Sequence, residues 1–121
     1  WALQEQTNIF RSMSNFFEDY DLLICPTNAV PPFPIEQRFC NQINNKNFDN
    51  YVEWMALTWG LTIPGNPITD LPCGLDHTGM PFGLQLCGPH YCDKRVLGAA
   101  SALEKSLSEN EVTTRPTPDL T

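Results

Sequence analysis

Positive charge is scarce in this sequence. Seven Lys and Arg stand against 14 Asp and Glu, a net charge of −7 over 121 residues. A phosphate backbone is held by a basic surface, so no nucleic acid partner is expected. Docking on an anionic membrane surface is disfavoured on the same ground. Long apolar runs are missing too, and none approaches the ~20 residues needed to span a bilayer. There is no G-x-S-x-G elbow. There is no phosphate loop either: Gly79-Met80-Pro81-Phe82-Gly83 lacks the lysine and the following helix. Ser12, Ser14, Ser101, Ser106 and Ser108 fall on predicted helices or in the tail, with no base or oxyanion donors beside them. No catalytic residue can be read from this chain.

Metal and thiol chemistry are weakly signalled. Cys73, His77, Cys87, His90 and Cys92 lie close together, but their C-x3-H and C-x2-H-x-C spacings match no common zinc pattern. No metal and no cofactor are expected. Cys92 stands two residues from His90 near the start of a predicted helix, where the helix dipole favours a thiolate. Catalytic pairs, however, usually meet through the fold and not along the chain. Several of the five cysteines sit inside apolar runs, where a free thiol behaves as a small buried hydrophobe, and the set reads as buried or surface structural thiols. Their odd count, in a chain without a leader pattern, points to free thiols, a reducing compartment and a cytoplasmic location. Residue 1 is Trp and not Met, which reads as truncation or processing.

What is present is a layered pattern. Ile9, Phe10, Met13, Phe16, Phe17 and Tyr20 recur at helical spacing over the first twenty residues, a stripe suited to core packing. Leu22-Leu23-Ile24-Cys25 is an unbroken apolar run, so a strand covered on both faces is expected, ended by Pro26. Val30-Pro31-Pro32-Phe33-Pro34 cannot continue a ladder. Residues 36–50, rich in Asn and Gln, read as a surface loop. A short helix is expected over Tyr51 to Trp59, then strands over Ile68 to Leu71 and Phe82 to Leu86 around a turn at Asp76-His77-Thr78-Gly79. Asp93 is the expected N-cap of a last helix that buries Val96, Leu97, Ala100, Leu103 and Leu107. Residues 108–121, with Pro116 and Pro118, read as a flexible tail. Strands flanked by helices make an α/β chain. Three strands, one wanting cover on both faces, suggest part of a larger sheet.

Four blocks of this pattern resemble the C-terminal portion of the amidase-signature hydrolases. They are Phe17-Glu18-Asp19-Tyr20-Asp21-Leu22-Leu23-Ile24-Cys25-Pro26-Thr27, Gly65-Asn66-Pro67-Ile68-Thr69-Asp70-Leu71-Pro72-Cys73-Gly74, Gly79-Met80-Pro81-Phe82-Gly83-Leu84-Gln85-Leu86, and the helix from Val96 to Leu107. The third is the most specific, since it sets five identities in order. The resemblance implies a mixed sheet sandwiched between helices, with residues 1–107 as the C-terminal part of an amidase-like domain. It implies hydrolysis of the carbon–nitrogen bond of a small carboxamide or acyl amide. The family does this with a serine nucleophile, a bridging serine and a lysine that takes the proton. Those residues belong to a Gly/Ser-rich run that this chain does not contain, so no catalytic residue carries over.

The resemblance leaves a wall of a substrate pocket for this chain to supply. Thr27, after a buried strand, and Trp59, before the Gly-x-Pro block, are the substrate-binding candidates. Thr62 stands where the family commonly has Asn, so local hydrogen bonding should differ. Three readings follow: an amidase segment inactive by itself, completed by the rest of its domain or by a partner chain; a non-catalytic amidase-derived binding or interaction module; and a short cysteine or zinc protein.

Overall fold

The computed structural model describes residues 1–118. At its centre lies β5 (Pro81–Cys87), flanked by β1 (Leu23–Pro26) and β4 (Ile68–Leu75), with both neighbours antiparallel to it. Register places Ile24, Leu86 and Thr69 in one row and Cys25, Gln85 and Asp70 in the next. Side chains alternate between faces along a strand, so these two rows face opposite layers.

On the Leu86 face lies α3 (Asp93–Ser108). Val96 and Ala100, four apart on the helix, meet Leu71 and Leu86, and Leu22, Ala99 and Leu103 complete the cluster. Leu86 and Val96 are each only 1% exposed. The helix approaches closely because β5 runs into Gly88, where any Cβ would overlap the Val96 side chain. On the Gln85 face lies α2 (Ala56–Thr62), entered through a 3-10 turn at Glu53–Met55. Gln85 is 3% exposed, and its amide nitrogen donates to the Pro26 carbonyl at 3.0 Å and the Leu57 carbonyl at 3.2 Å. One side chain thus ties together the central strand, the end of β1 and α2. The expected α/β arrangement, with helices on both sides of a sheet, is the fold.

Several expectations are corrected. Residues 36–50 are not simply a loop: Gln42–Ile43 (β2) pairs with Lys46–Asn47 (β3). The turn residues Asn44 and Asn45 have φ of 49° and 64°, the left-handed pair that a two-residue hairpin needs and that Asn tolerates. β4 continues past Pro72 to Leu75 through an irregularity in its pairing. Proline is tolerated there because β4 is an edge strand. Pro26 closes β1 from within, for the same reason. β1 is not covered on both faces: Ile24 is 49% exposed, because α3 packs over β4 and β5. Asp93 begins α3 without capping it, and Cys92 occupies the cap position. Leu97 points away from the sheet, 60% exposed, apart from the Val96–Ala100 stripe. The stripe of α1 (Ala2–Asp19) is not core either, as no residue of that helix is buried. Its attachments are slight: Phe10 stacks on His90 at 4.5 Å, and the Gln6 amide donates to the Ile63 carbonyl.

After α3 the chain turns back at residues 109–114. Thr113 Oγ1 donates to the Leu107 carbonyl at 2.8 Å, and the Val112 carbonyl settles over Gly74. The end of the expected flexible tail, residues 119–121, lies outside the described residues.

Two predictions arise from this packing. Gly74 and Gly79 both have positive φ, 71° and 80°, but only Gly74 is blocked, by the backbone of Val112. Gly79→Ala is expected to cost about 1 kcal/mol of stability for its backbone strain. Gly74→Ala adds a clash that displaces the turn at 109–114, so it should cost at least ~2 kcal/mol and expose that turn to protease. Urea unfolding and limited proteolysis of the two variants give the comparison, and equal costs would refute the account.

The second concerns Cys87, which is fully buried. Burial, helped by the nearby Cys25 thiol, pushes its pKa up to about 11 from the usual 9.0. Below pH 9 the thiol is neutral whether the chain is folded or not. Between pH 9 and 11 the unfolded chain ionises first, so stability is lost as pH rises. At about 1.4 kcal/mol per pKa unit the loss reaches roughly 2–3 kcal/mol. Urea unfolding at pH 8 and pH 10.5 should show it, and Cys87→Ala should flatten the slope.

Candidate functional site

Thr27 continues the β1 ladder one residue beyond the strand, its N–H donating to the Gly83 carbonyl at 3.0 Å. Its hydroxyl then crosses over β5. Thr27 Oγ1 would stand 2.9 Å from a Cβ on Gly83, closer than real side chains permit. Glycine at that point of the Gly-x-Pro-x-Gly-Leu-Gln block leaves the space. Through it Thr27 Oγ1 donates to Asp70 Oδ1 on β4 at 2.9 Å.

Beyond Thr27 the chain leaves the sheet, and a cavity of about 540 Å³ opens. The segment Asn28 to Phe33 forms one wall, held extended by Pro31 and Pro32. Ile43 and Asn44 of the hairpin form a second, and Trp54 and Leu57 a third. Asp76, His77, Phe82 and Gly83 close the β4–β5 side. Trp54 is fixed by two aromatic edges: Phe33 at 5.6 Å and 78°, Tyr51 at 6.1 Å and 87°. Such T-shaped contacts favour one ring orientation. The buried Trp54 Nε1 has no acceptor. Asp76 organises the turn beneath. Its Oδ1 accepts from Thr78 Oγ1 at 2.6 Å, Thr78 N at 2.8 Å and Met80 N at 3.0 Å. The Thr78 hydroxyl, then the Met80 N–H, hold its carboxyl below the usual carboxylate range.

Of the two candidates from the sequence, Thr27 lines this cavity and Trp59 does not. Trp59 sits on α2, 42% exposed, with Nε1 donating to the Val52 carbonyl at 3.0 Å. Trp54 and Phe33 line the cavity, although the sequence did not mark them as site residues, and so does His77, which the sequence raised only as a weak metal ligand. Trp54 had a signal, since Tyr51, Trp54, Met55 and Thr58 fall on one side of the short helix expected over Tyr51 to Trp59. Phe33 had one in the prolines around it. Thr62 donates to the Trp59 carbonyl at 2.7 Å and so is satisfied within α2.

A second place holds unpaired polar atoms. Asn66 donates to the Gly88 carbonyl at 2.7 Å, leaving its buried Oδ1 without a partner, and His90 Nε2 is buried and unpartnered against Phe10. The five cysteines are all free thiols. Among the described residues no cluster of His, Cys, Asp or Glu could hold a metal ion, and no helix is long and apolar enough to cross a membrane.

Comparison with known proteins agrees with this arrangement. A glutamyl-tRNA(Gln) amidotransferase subunit of Clostridium acetobutylicum is 36% identical over 104 residues, 86% of this chain and 20% of the relative. The corresponding protein of Alkaliphilus metalliredigens is 36% identical over 100 residues, 83% of this chain and 18% of the relative. The crystal structure of the Thermotoga maritima glutamyl-tRNA(Gln) amidotransferase subunit superposes with a TM-score of 0.74 over 96% of this chain and 24% of that one, at 23% identity. A crystal structure described as an amidase gives 0.75 over 86% and 24%, also at 23% identity. At that identity the two structures establish the fold alone. The chain spans about a fifth of the length of the curated relatives it matches. The family model described as Amidase matches residues 1–97, most of the 121, and the chain therefore belongs to the amidase family.

Proposed function

We propose that this chain supplies one wall of the substrate pocket in an enzyme that hydrolyses the carbon–nitrogen bond of a small carboxamide or acyl amide. The observation that carries the reading is the family match over residues 1–97. On this reading residues 1–107 are the C-terminal part of an amidase domain and 108–121 its tail. The Ser-Ser-Lys machinery stands elsewhere in the protein that carries the chain. There the nucleophilic serine adds to the amide carbonyl, the nitrogen leaves with a proton as ammonia or amine, and water releases the acid. Abundant free thiols suit a reducing, cytoplasmic setting.

Thr27 has a definite part in this scheme. Its proton is committed to Asp70, so its oxygen is left as an acceptor at the cavity wall. A substrate amide N–H is a fitting donor for it. Trp59 enters only by supporting the turn that carries Val52 and Trp54.

A second reading, a non-catalytic binding or interaction module, is favoured by one observation. β1 and β4 are both edges of the three-stranded sheet, and an unpaired edge can accept a strand from a partner chain.

Ammonia release from simple carboxamides by the full-length protein carrying this chain decides between them. Turnover is expected. Thr27→Val should raise KM up to about tenfold, the worth of one hydrogen bond, with a smaller effect on kcat. Thr27→Ser should restore it. No turnover on any carboxamide by the folded protein would overturn the enzymatic reading, and unchanged kinetics in Thr27→Val would remove Thr27 from the site.

A further inference from the structure

We infer that Asp70 is a positioning residue: acting through the Thr27 hydroxyl, it fixes the polarity of the cavity wall, so that the wall accepts an N–H and disfavours an ester. The inference rests on the reading of the cavity as a substrate site. It concerns how a residue outside the cavity sets which scissile bond is held there.

Every part of Thr27 except its hydroxyl proton is fixed without Asp70. Its N–H donates to the Gly83 carbonyl at 3.0 Å, and its carbonyl accepts from Thr58 Oγ1 of α2 at 3.3 Å. Its Oγ1 stands over Gly83, in the space that an absent side chain leaves. Proton direction is the freedom that remains, because a hydroxyl has one donor and two acceptor positions and can rotate. Asp70 removes it. β1 and β4 lie on opposite sides of β5, roughly 10 Å apart, and the crossing over Gly83 lets the two side chains meet at 2.9 Å. A carboxylate accepts and cannot donate, so the proton lies on the Asp70 side. Among the described residues no Lys or Arg pairs with Asp70 and competes for the bond.

Asp70 is exposed and does not line the cavity, whereas Thr27 does. Its effect there is therefore indirect. Toward the cavity Thr27 presents lone pairs alone. An amide N–H supplies the donor they need. An ester of the same acid carries only acceptors on its scissile bond, so oxygen meets oxygen, and desolvating that pair without a proton costs free energy. A hydroxyl at position 70 would not set this direction, since it could donate as well as accept.

The test uses the full-length protein that carries this chain. Butyramide and methyl butyrate are the substrate pair, or another simple carboxamide and the methyl ester of its acid where that amide turns over faster. Comparing kcat/KM between variants cancels the greater intrinsic reactivity of the ester. Asp70→Ala frees the hydroxyl to donate. The ester should then gain about fivefold in kcat/KM, through KM, while the amide changes by less than about twofold, since a freed hydroxyl still accepts. Asp70→Asn restores an acceptor oxygen and should bring the amide-to-ester ratio back to within about twofold of the wild type. In a Thr27→Val background, Asp70→Ala should leave the ratio unmoved. A role in strand stability alone would weaken both substrates together and would persist without the Thr27 hydroxyl. Either of those results, or an ester that gains nothing from Asp70→Ala, overturns the inference while leaving the amidase reading intact. Should no carboxamide be hydrolysed, that reading falls, and binding decides the inference. Saturation-transfer NMR of the wild-type protein should then detect butyramide at a lower concentration than methyl butyrate, and Asp70→Ala should close the gap. Equal binding in the wild type, or a gap that survives the substitution, overturns the inference.

Discussion

The arrangement of this chain depends on the buried carboxamide of Gln85. It lies in the central strand, and its nitrogen reaches two carbonyls that belong to no common ladder, Pro26 at the end of β1 and Leu57 in α2. A carbonyl buried without a partner costs on the order of 1–3 kcal/mol, so these two bonds matter more by their absence than by their presence. An apolar residue at position 85 would fill the volume and lose both bonds. A glutamate would turn oxygen toward oxygen. The cavity follows from this tie. Pro26 is the residue before Thr27, and Leu57 is part of the wall, so Gln85 positions two sides of the pocket at once.

Glycine does the complementary work, by leaving space at three crossings. At Gly83 the space admits the Thr27 hydroxyl on its way to Asp70, at Gly88 the Val96 side chain, and at Gly74 the Val112 carbonyl. Each vacancy lets a different layer approach the sheet: the loop that lines the cavity, helix α3, and the turn after it. The Gly-x-Pro-x-Gly-Leu-Gln block thus has a physical content. Its second glycine and its glutamine lie two residues apart, on the same face of one strand. One makes room for the cavity segment and the other holds it.

Much of this was legible in the sequence. The helical periods of α1 and α3, the strand cores and the α/β class all follow from residue patterning, and the family from four ordered blocks. What could not be read there depended on neighbours distant in sequence. Periodicity places Leu97 on the stripe with Val96, but a helix against a sheet edge buries a narrow face, and Val96 and Ala100 take it. The hairpin at 42–47 is hidden because two-residue strands carry no period, although Asn44-Asn45 suits its turn. Pro72 reads as the end of β4, yet an edge strand does not need the missing N–H. The exchange of Trp59 for Trp54 at the cavity has the same origin. Both rings lie near α2, and only the packing of Phe33 and Tyr51 selects the one that faces the pocket.

The surface of the chain bears on how that wall is used. A compact monomer of 13.7 kDa exposes roughly 6,600 Å² by the usual scaling with mass. This chain exposes 8866 Å², about a third more. A standard interface removes only ~800 Å² from each partner, so the excess is larger than one docked protein would cover. Part of it lies on the apolar side of α1, where Phe10 is 43% and Ile9 37% exposed, and part on β1 at Ile24. Water against those side chains favours further burial at roughly 25 cal/mol per Å². On the proposed reading, the remaining layers of an amidase domain are what would cover them, so the apolar faces of α1 and β1 are the surfaces through which this wall joins the rest of its domain.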